Sequence, residues 1–288
     1  MKKAARAAAV LFLCPLGAVF LFPPAATAAG SLMAENAIGT AYSSRLNAFD
    51  LAEGIREKFR CIPLVPGPAS LEQYAEVLLR QPSFLTLLFN SLAIALPVSL
   101  GALAVALLSA YGFGRWRWKH KEAVFSVYVA VMLMPLQAVL VPNYIIAALL
   151  GIRDSTLAII LPGIFSPFGV FLMRQSLKAV PPAYFEAAEM DGAGGWYVLF
   201  HVAIPQLKPA VSALFMLVFI EYWNVVEQAV VFIDDFTKEP LSVYLSRLAE
   251  GRAGLVLAAS CVYMFPPLWL LFAGQRDLER GIELSGLR

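Results

Sequence analysis

Six stretches of this chain, residues 7–29, 84–112, 123–150, 156–175, 207–231 and 254–274, stay apolar over lengths near or above the ~20 helical residues that cross a hydrocarbon core of ~30 Å. No other feature limits the fold as strongly. Each stretch contains Gly or Pro, which membrane helices tolerate because neighbouring helices and side chains can satisfy the freed backbone groups. They are too long, and too rich in Ala and Leu, to be barrel strands with ~10-residue alternation. The expected fold is an all-α polytopic membrane helical bundle of six transmembrane helices. Composition agrees: 60% of the 288 residues are hydrophobic and 15% are charged, where a soluble domain carries about 25% charge. This excludes a disordered chain and an ordinary soluble enzyme. A net charge of +2 gives no basis for a nucleic-acid partner. Cys14, Cys61 and Cys261 form no CxxC pair and imply neither a disulfide framework nor a metal site.

The distribution of Lys and Arg sets the orientation. With both termini in the cytoplasm, the inner segments hold 13 basic and seven acidic residues, and the outer segments hold nine basic and eleven acidic residues. The Arg115–Lys121 cluster contributes most. Residues 1–29 are expected to be the first transmembrane helix, although Lys2-Lys3, the apolar run and Ala26-Thr27-Ala28 also resemble a signal peptide with a small-residue cleavage site. Cleavage would leave five spans with unchanged orientation. Residues 30–83 form an extracytoplasmic segment in which Leu71–Leu79 has the spacing of a short interfacial helix. Residues 84–288 form the core, with a distinctive inner loop at 176–206.

Within that loop, Pro181-Pro182 predicts a helix start, and a short helix follows from Pro182 to Met190 with Glu186 and Glu189 in its early turns. Gly192, Gly194 and Gly195 end it, and a second helical piece, Trp196–Val202, leads to Pro205. The loop is too polar to insert in a membrane. It reads as a docking site for a soluble partner, or more plainly as an amphipathic linker.

Its residues resemble the signature of permease subunits in binding-protein-dependent ABC importers. Glu186-Ala187-Ala188 is followed by three residues, Gly192, nine residues, and Val202-Ala203-Ile204-Pro205. Val202 and Ile204 replace the family's Ile and Leu. The resemblance covers about residues 70–288 and includes Asn90-Ser91-Leu92, Leu108–Gly114, Phe168–Gln175, Trp223-Asn224 and Arg280–Arg288. It points to the carbohydrate branch and is similar to the smaller permease of the maltose importer. This implies a type I ABC importer permease (MetI-like) fold with a cytoplasmic coupling helix. It also implies a second permease subunit, two ATP-binding cassette ATPase subunits, an extracytoplasmic solute-binding protein, and a sugar, oligosaccharide or polyol as substrate. Glu186, Ala187, Ala188, Asp191, Gly192 and Pro205 would be the ATPase-coupling residues. No cofactor is expected in this chain, because ATP and Mg²⁺ would be bound by the partner ATPase.

The residues themselves supply no catalytic constellation. There is no Gly-Lys dipeptide, hence no P-loop, and no HExxH or GxSxG. His120 and His201 stand alone in different loops. Polar residues inside the fifth span define a candidate substrate path: Glu221, Asn224 and Gln228, spaced to share one helix face, with Tyr222 and Trp223 beside them. Gln137, Asn143 and Ser166 are weaker candidates. The same groups could instead make interhelical hydrogen bonds. A self-contained secondary transporter is the alternative function; it would need an internal repeat and a coupling-ion site, and neither is evident.

Overall fold

The computed structural model describes residues 2–34, 38, 69–116, 118–247 and 253–284, without side-chain detail for 2–9 and 281–284. The described residues are almost entirely helical, with no strand beyond one isolated bridge between Met33 and Ala69. Four helices are long and apolar enough to cross a membrane, and six spans result if two bent helix pairs each count as one. Most of the expected external segment lies outside the described residues.

The chain divides into two compact units: residues 1–85 with 244–265, and residues 86–243 with 266–288. The first unit contains α1 (Lys2–Ser31), α2 (Glu72–Ala75) and a π-helical turn at Glu76–Arg80. The interfacial helix expected at 71–79 therefore forms at 72–80, its second half widened to a π-helical turn. Ser31 Oγ lies 2.7 Å from Tyr74 Oη, and Cys261 Sγ donates to the same Ser31 Oγ at 3.5 Å. The end of α1 is thereby joined to α2 and to the helix that carries Cys261.

The second unit is organised around α3 (Pro82–Arg115), 34 residues long and interrupted in sequence only by Pro97. Ile94, Val98, Ala102, Ala106 and Ala110, at a spacing of four, are all buried. Small residues on this stripe admit other backbones closely. A Cβ on Gly169 would lie 3.3 Å from the Ala106 methyl, and one on Gly101 would lie 2.6 Å from Ile164.

The third expected span, 123–150, is corrected. It consists of α4 (Lys121–Met132) and α5 (Leu136–Leu149), bent by 100° at Pro135. Pro135 takes an extended conformation (ψ 145°) and removes an amide, so the helix restarts in a new direction. The fourth span comprises α6 (Leu157–Ile164) and α7 (Pro167–Ala179), the latter capped by Ser166 Oγ accepting from Gly169 N at 3.1 Å. The fifth, 207–231, is also corrected. α11 (Lys208–Trp223) stops, residues 224–226 are non-helical, and α12 (Glu227–Phe232) restarts. Between α7 and α11 lie α8 (Pro182–Met190), α9 (Gly195–Val198), a π-turn at Leu199–Ala203, and α10 (Ile204–Gln206). α13 (Leu241–Arg247) and α14 (Ala253–Leu284) complete the chain.

One polar structure fixes the 233–241 loop. Asp154, in the left-handed region (φ 57°), accepts from the backbone amides of Asp234 and Asp235 at 3.0 and 2.9 Å and from Lys238 Nζ at 2.7 Å. Arg153 pairs with Asp234 at 2.6 Å. From α3, Asn90 Nδ2 donates to the carbonyls of Thr237 and Glu239 at 2.8 and 3.0 Å, and Ser91 Oγ accepts from Leu241 N at 2.9 Å.

Candidate functional site

The 176–206 loop takes the form its prolines and glycines dictate. α8 begins at Pro182, where a missing amide costs nothing, and ends at Met190. Gly192 stands at φ +79°, with its amide donating to Glu189 O and that of Ala193 to Ala188 O, each at 3.0 Å. This pair is a Schellman closure, and it requires a left-handed residue where glycine carries no Cβ penalty. Gly194 and Gly195 do not end α8; they start α9. Glu189 is corrected as well: it sits in the last turn of α8, not an early one, and forms an ion pair with Arg115.

One side of α8 is locked to the rest of its unit. Phe185 is buried in a cluster with Leu177, Val198, Leu199, Ala203 and Leu207, against which Leu107 and Tyr111 of α3 also pack. The other side is open. Glu186 and Ala187 are exposed, and Glu186 has no hydrogen-bond or ion-pair partner among the described residues. Tyr184, Met190, Trp196, Tyr197 and Phe200 are exposed around it, Met190 by 87%. A cavity of about 580 Å³ opens beside them, lined by Ala188, Asp191, Gly192 and His201 among others. Of the expected coupling residues, Glu186, Ala187, Asp191, Gly192 and Pro205 are therefore exposed and Ala188 is half-buried. The loop combines an unpaired acid, an aromatic rim and a concavity, which suits a protein surface bearing a base.

The candidate path is rearranged by the break after Trp223. Glu221, Asn224 and Gln228 do not share one helix face, because Asn224 caps α11 and Gln228 belongs to α12. Glu221 and Asn224 are exposed, and Gln228 is buried with no hydrogen-bond partner for its Oε1 among the described residues. Tyr222 is half-buried against Gly163, where a Cβ would stand 2.8 Å from the ring. Trp223 is 1% exposed and stacks on Phe219 with ring centroids 5.6 Å apart, so it packs the unit instead of lining an open path. Glu227 accepts from Gln137 Nε2 at 3.1 Å, and Ser166 serves as the α7 cap. No group of His, Cys, Asp and Glu among the described residues could hold a metal ion.

Arg174 escaped the reading of the sequence, which counted it only among the basic residues of the inner side. It is 1% exposed, with its guanidinium 3.8 Å from the Phe125 ring centroid and Nη2 donating to Glu122 Oε1 at 2.6 Å. Its Nε and Nη1 have no hydrogen-bond partner among the described residues. Only the proximity of Phe113, Phe125 and Glu122, from two other helices, makes this burial tolerable.

Comparison with known proteins adds the family. The lactose transport system permease protein LacG of Rhizobium radiobacter is 29% identical over 197 residues, covering 67% of this chain and 72% of that protein. The osmoprotective compounds uptake permease protein GgtD of Synechocystis sp. is 29% identical over 224 residues, covering 76% and 75%. The sn-glycerol-3-phosphate transport system permease protein UgpE of Rhizobium meliloti is 25% identical over 232 residues, covering 77% and 82%. In structure, the chain is similar to one in a bacterial ABC transporter involved in the import of the acidic polysaccharide alginate. The TM-score is 0.78 at 21% identity, over 95% of this chain and 96% of that one. That likeness shows the type I permease fold. The family model for binding-protein-dependent transport system inner membrane components matches residues 102–265, more than half of the sequence and the whole of the 182–206 loop, and the chain belongs to that family.

Proposed function

We propose that this permease forms half of a translocation pore and is driven by a separate ATPase subunit that docks on the 182–206 loop. The observation that carries the reading is Glu186, exposed and unpaired on the open side of a helix whose other side is fixed to the bundle. A short helix held at one face and open at the other can receive force from a soluble subunit and pass it to the membrane part. Ala187 lets the partner approach closely, and Gly192 fixes the exit of the chain. In this reading the Arg115–Lys121 cluster and the loop are cytoplasmic, both termini are inside, and ATP with Mg²⁺ is bound by the ATPase. A second, different permease and an extracytoplasmic solute-binding protein complete the assembly. One solved structure of similar fold is a bacterial alginate ABC transporter in complex with an alginate pentasaccharide-bound periplasmic protein.

The relatives are named for lactose, osmoprotective compounds and sn-glycerol-3-phosphate. We take the substrate to be a sugar, an oligosaccharide or a related polyol. The helix break at 224–226 suits such a ligand. Asn224 offers an amide, Glu221 an acceptor, and Tyr222 a ring edge with a hydroxyl, while the buried Gln228 stands behind them. Trp223 holds this segment from behind.

Affinity purification of the tagged chain in mild detergent, with subunits identified by mass spectrometry, tests the reading. The wild-type chain is expected to bring an ATPase and a second permease, and Glu186→Lys to lose the ATPase at least about tenfold, as reversing a docking charge requires. A wild-type chain recovered alone under several gentle conditions contradicts it and favours a self-contained transporter.

A further inference from the structure

Arg115, the last residue of α3, holds α8 at two points. Its guanidinium pairs with the Glu189 carboxylate and lies 4.9 Å from the centre of the Phe185 ring. Phe185 and Glu189 are one turn apart on the same face of α8, so a single side chain fixes both the height and the rotation of that helix. The neighbouring residues of α3 complete the grip. A Cβ on Gly114 would stand 2.6 Å from Leu177, and one on Gly195 would stand 3.9 Å from Tyr111 Oη. The end of α3 thus touches the residues before, within and after α8. At the other end of the same helix, 25 residues or about 37 Å away, Asn90 and Ser91 hold the 233–241 loop through three hydrogen bonds.

We propose that Arg115 is a positioning residue that makes α3 follow α8, so that movement of the 182–206 loop reaches the 233–241 loop along one continuous helix. This rests on the reading of the 182–206 loop as the ATPase contact. A partly exposed ion pair adds little to stability, and Glu189 is half exposed. Arg115 is therefore expected to be dispensable for folding while its geometry matters for transmission. Phe185, buried in its own cluster, keeps α8 attached when Arg115 is lost. What is lost is the stiffness of the link.

The test uses the assembled complex in lipid nanodiscs. Phe236, 72% exposed in the 233–241 loop, is changed to Cys in a chain whose Cys14, Cys61 and Cys261 are changed to Ser, and an environment-sensitive fluorophore is attached. The signal is the fluorescence change between the nucleotide-free complex and the complex with ATP and vanadate. Arg115→Gln and Glu189→Gln are expected to keep the ATPase at wild-type stoichiometry and to lose at least about fivefold of the signal, the lower bound of a typical coupling. Arg115→Glu combined with Glu189→Arg is expected to restore it. An unchanged signal in Arg115→Gln overturns the proposal, as does a charge-swapped pair that fails to recover. Loss of the ATPase from both Gln variants also overturns it, since the pair would then serve docking. If the wild-type complex binds ATPase and gives no signal, transmission fails and the docking reading stands. If the wild-type chain binds no ATPase, the docking reading fails and takes this proposal with it.

Discussion

The 182–206 loop and the 233–241 loop are irregular connections held to opposite ends of α3, and they treat their polar groups in opposite ways. The second saturates itself. Asp154 takes up two loop amides and the Lys238 ammonium, Asn90 takes up two loop carbonyls, and Arg153 neutralises Asp234. The first leaves Glu186 unpaired and exposes Tyr184, Met190, Trp196, Tyr197 and Phe200. Polar groups paired within the chain leave little for a partner to satisfy, whereas an unpaired acid among several exposed aromatic side chains leaves much. One loop is finished within the chain; the other has the form of half an interface.

The comparison can be broken at either loop. Asn90→Ala removes two hydrogen bonds that only α3 supplies to the 233–241 loop. It is expected to lower that loop's opening free energy by about 1–2 kcal/mol, seen as faster amide exchange at 236–241 with 182–206 unchanged. A change of equal size in both loops would mean that their supports are not separate. Gly192→Ala meets no atom within 4 Å but forces a side chain into φ +79°. The expected cost is about 1 kcal/mol, concentrated in the last turn of α8 and visible as exchange at Asp191–Ala193. Full tolerance would mean that the loop is not held by its Schellman closure.

The smallest effect concerns pH. Lys238 first, then the amides of Asp235 and Asp234, hold the Asp154 carboxyl down to about 2. A depressed carboxyl contributes above its unfolded value of about 3.9 and loses that contribution as pH falls through its folded value. The Asp154 carboxylate in turn raises Lys238, whose contribution is complete below about 10.4 and lost only above its raised value. Between those limits the clasp is independent of pH. Relative to a peptide standard, pepsin is expected to spare 233–241 at pH 4 and cut it as the pH approaches 2. Asp154→Asn, which still suits φ 57°, is expected to be cut at both. Resistance of wild type at pH 2 would remove Asp154 from the clasp.

How much of this was legible in the sequence depended on whether the cause was local. Pro182 and Gly192 start and stop α8 through their own backbone preferences, so its limits could be read directly. Pro135 carried a similar signal for the 100° bend, obscured by the apolar run through it. The break after Trp223 has no such mark. Within it, Val225 O accepts from Ser242 Oγ at 2.6 Å, a partner from another helix. With that contact invisible, 207–231 read as one span and its polar residues as one face. Arg174 was missed for the same reason, because Phe113, Phe125 and Glu122 converge on it only in three dimensions. The external residues expected at 30–70 lie largely outside the described residues.

The most direct test of the unfinished loop uses Ala187→Cys in a chain whose native cysteines are changed to Ser. It is exposed to a membrane-impermeant maleimide in sealed vesicles of each orientation, with and without the co-expressed ATPase. Ala187 lies beside Glu186 on the open side of α8. The account predicts rapid labelling in inside-out vesicles, no labelling in right-side-out vesicles, and protection when the ATPase is bound. Labelling from the outer side, or equal labelling with and without bound ATPase, would contradict it.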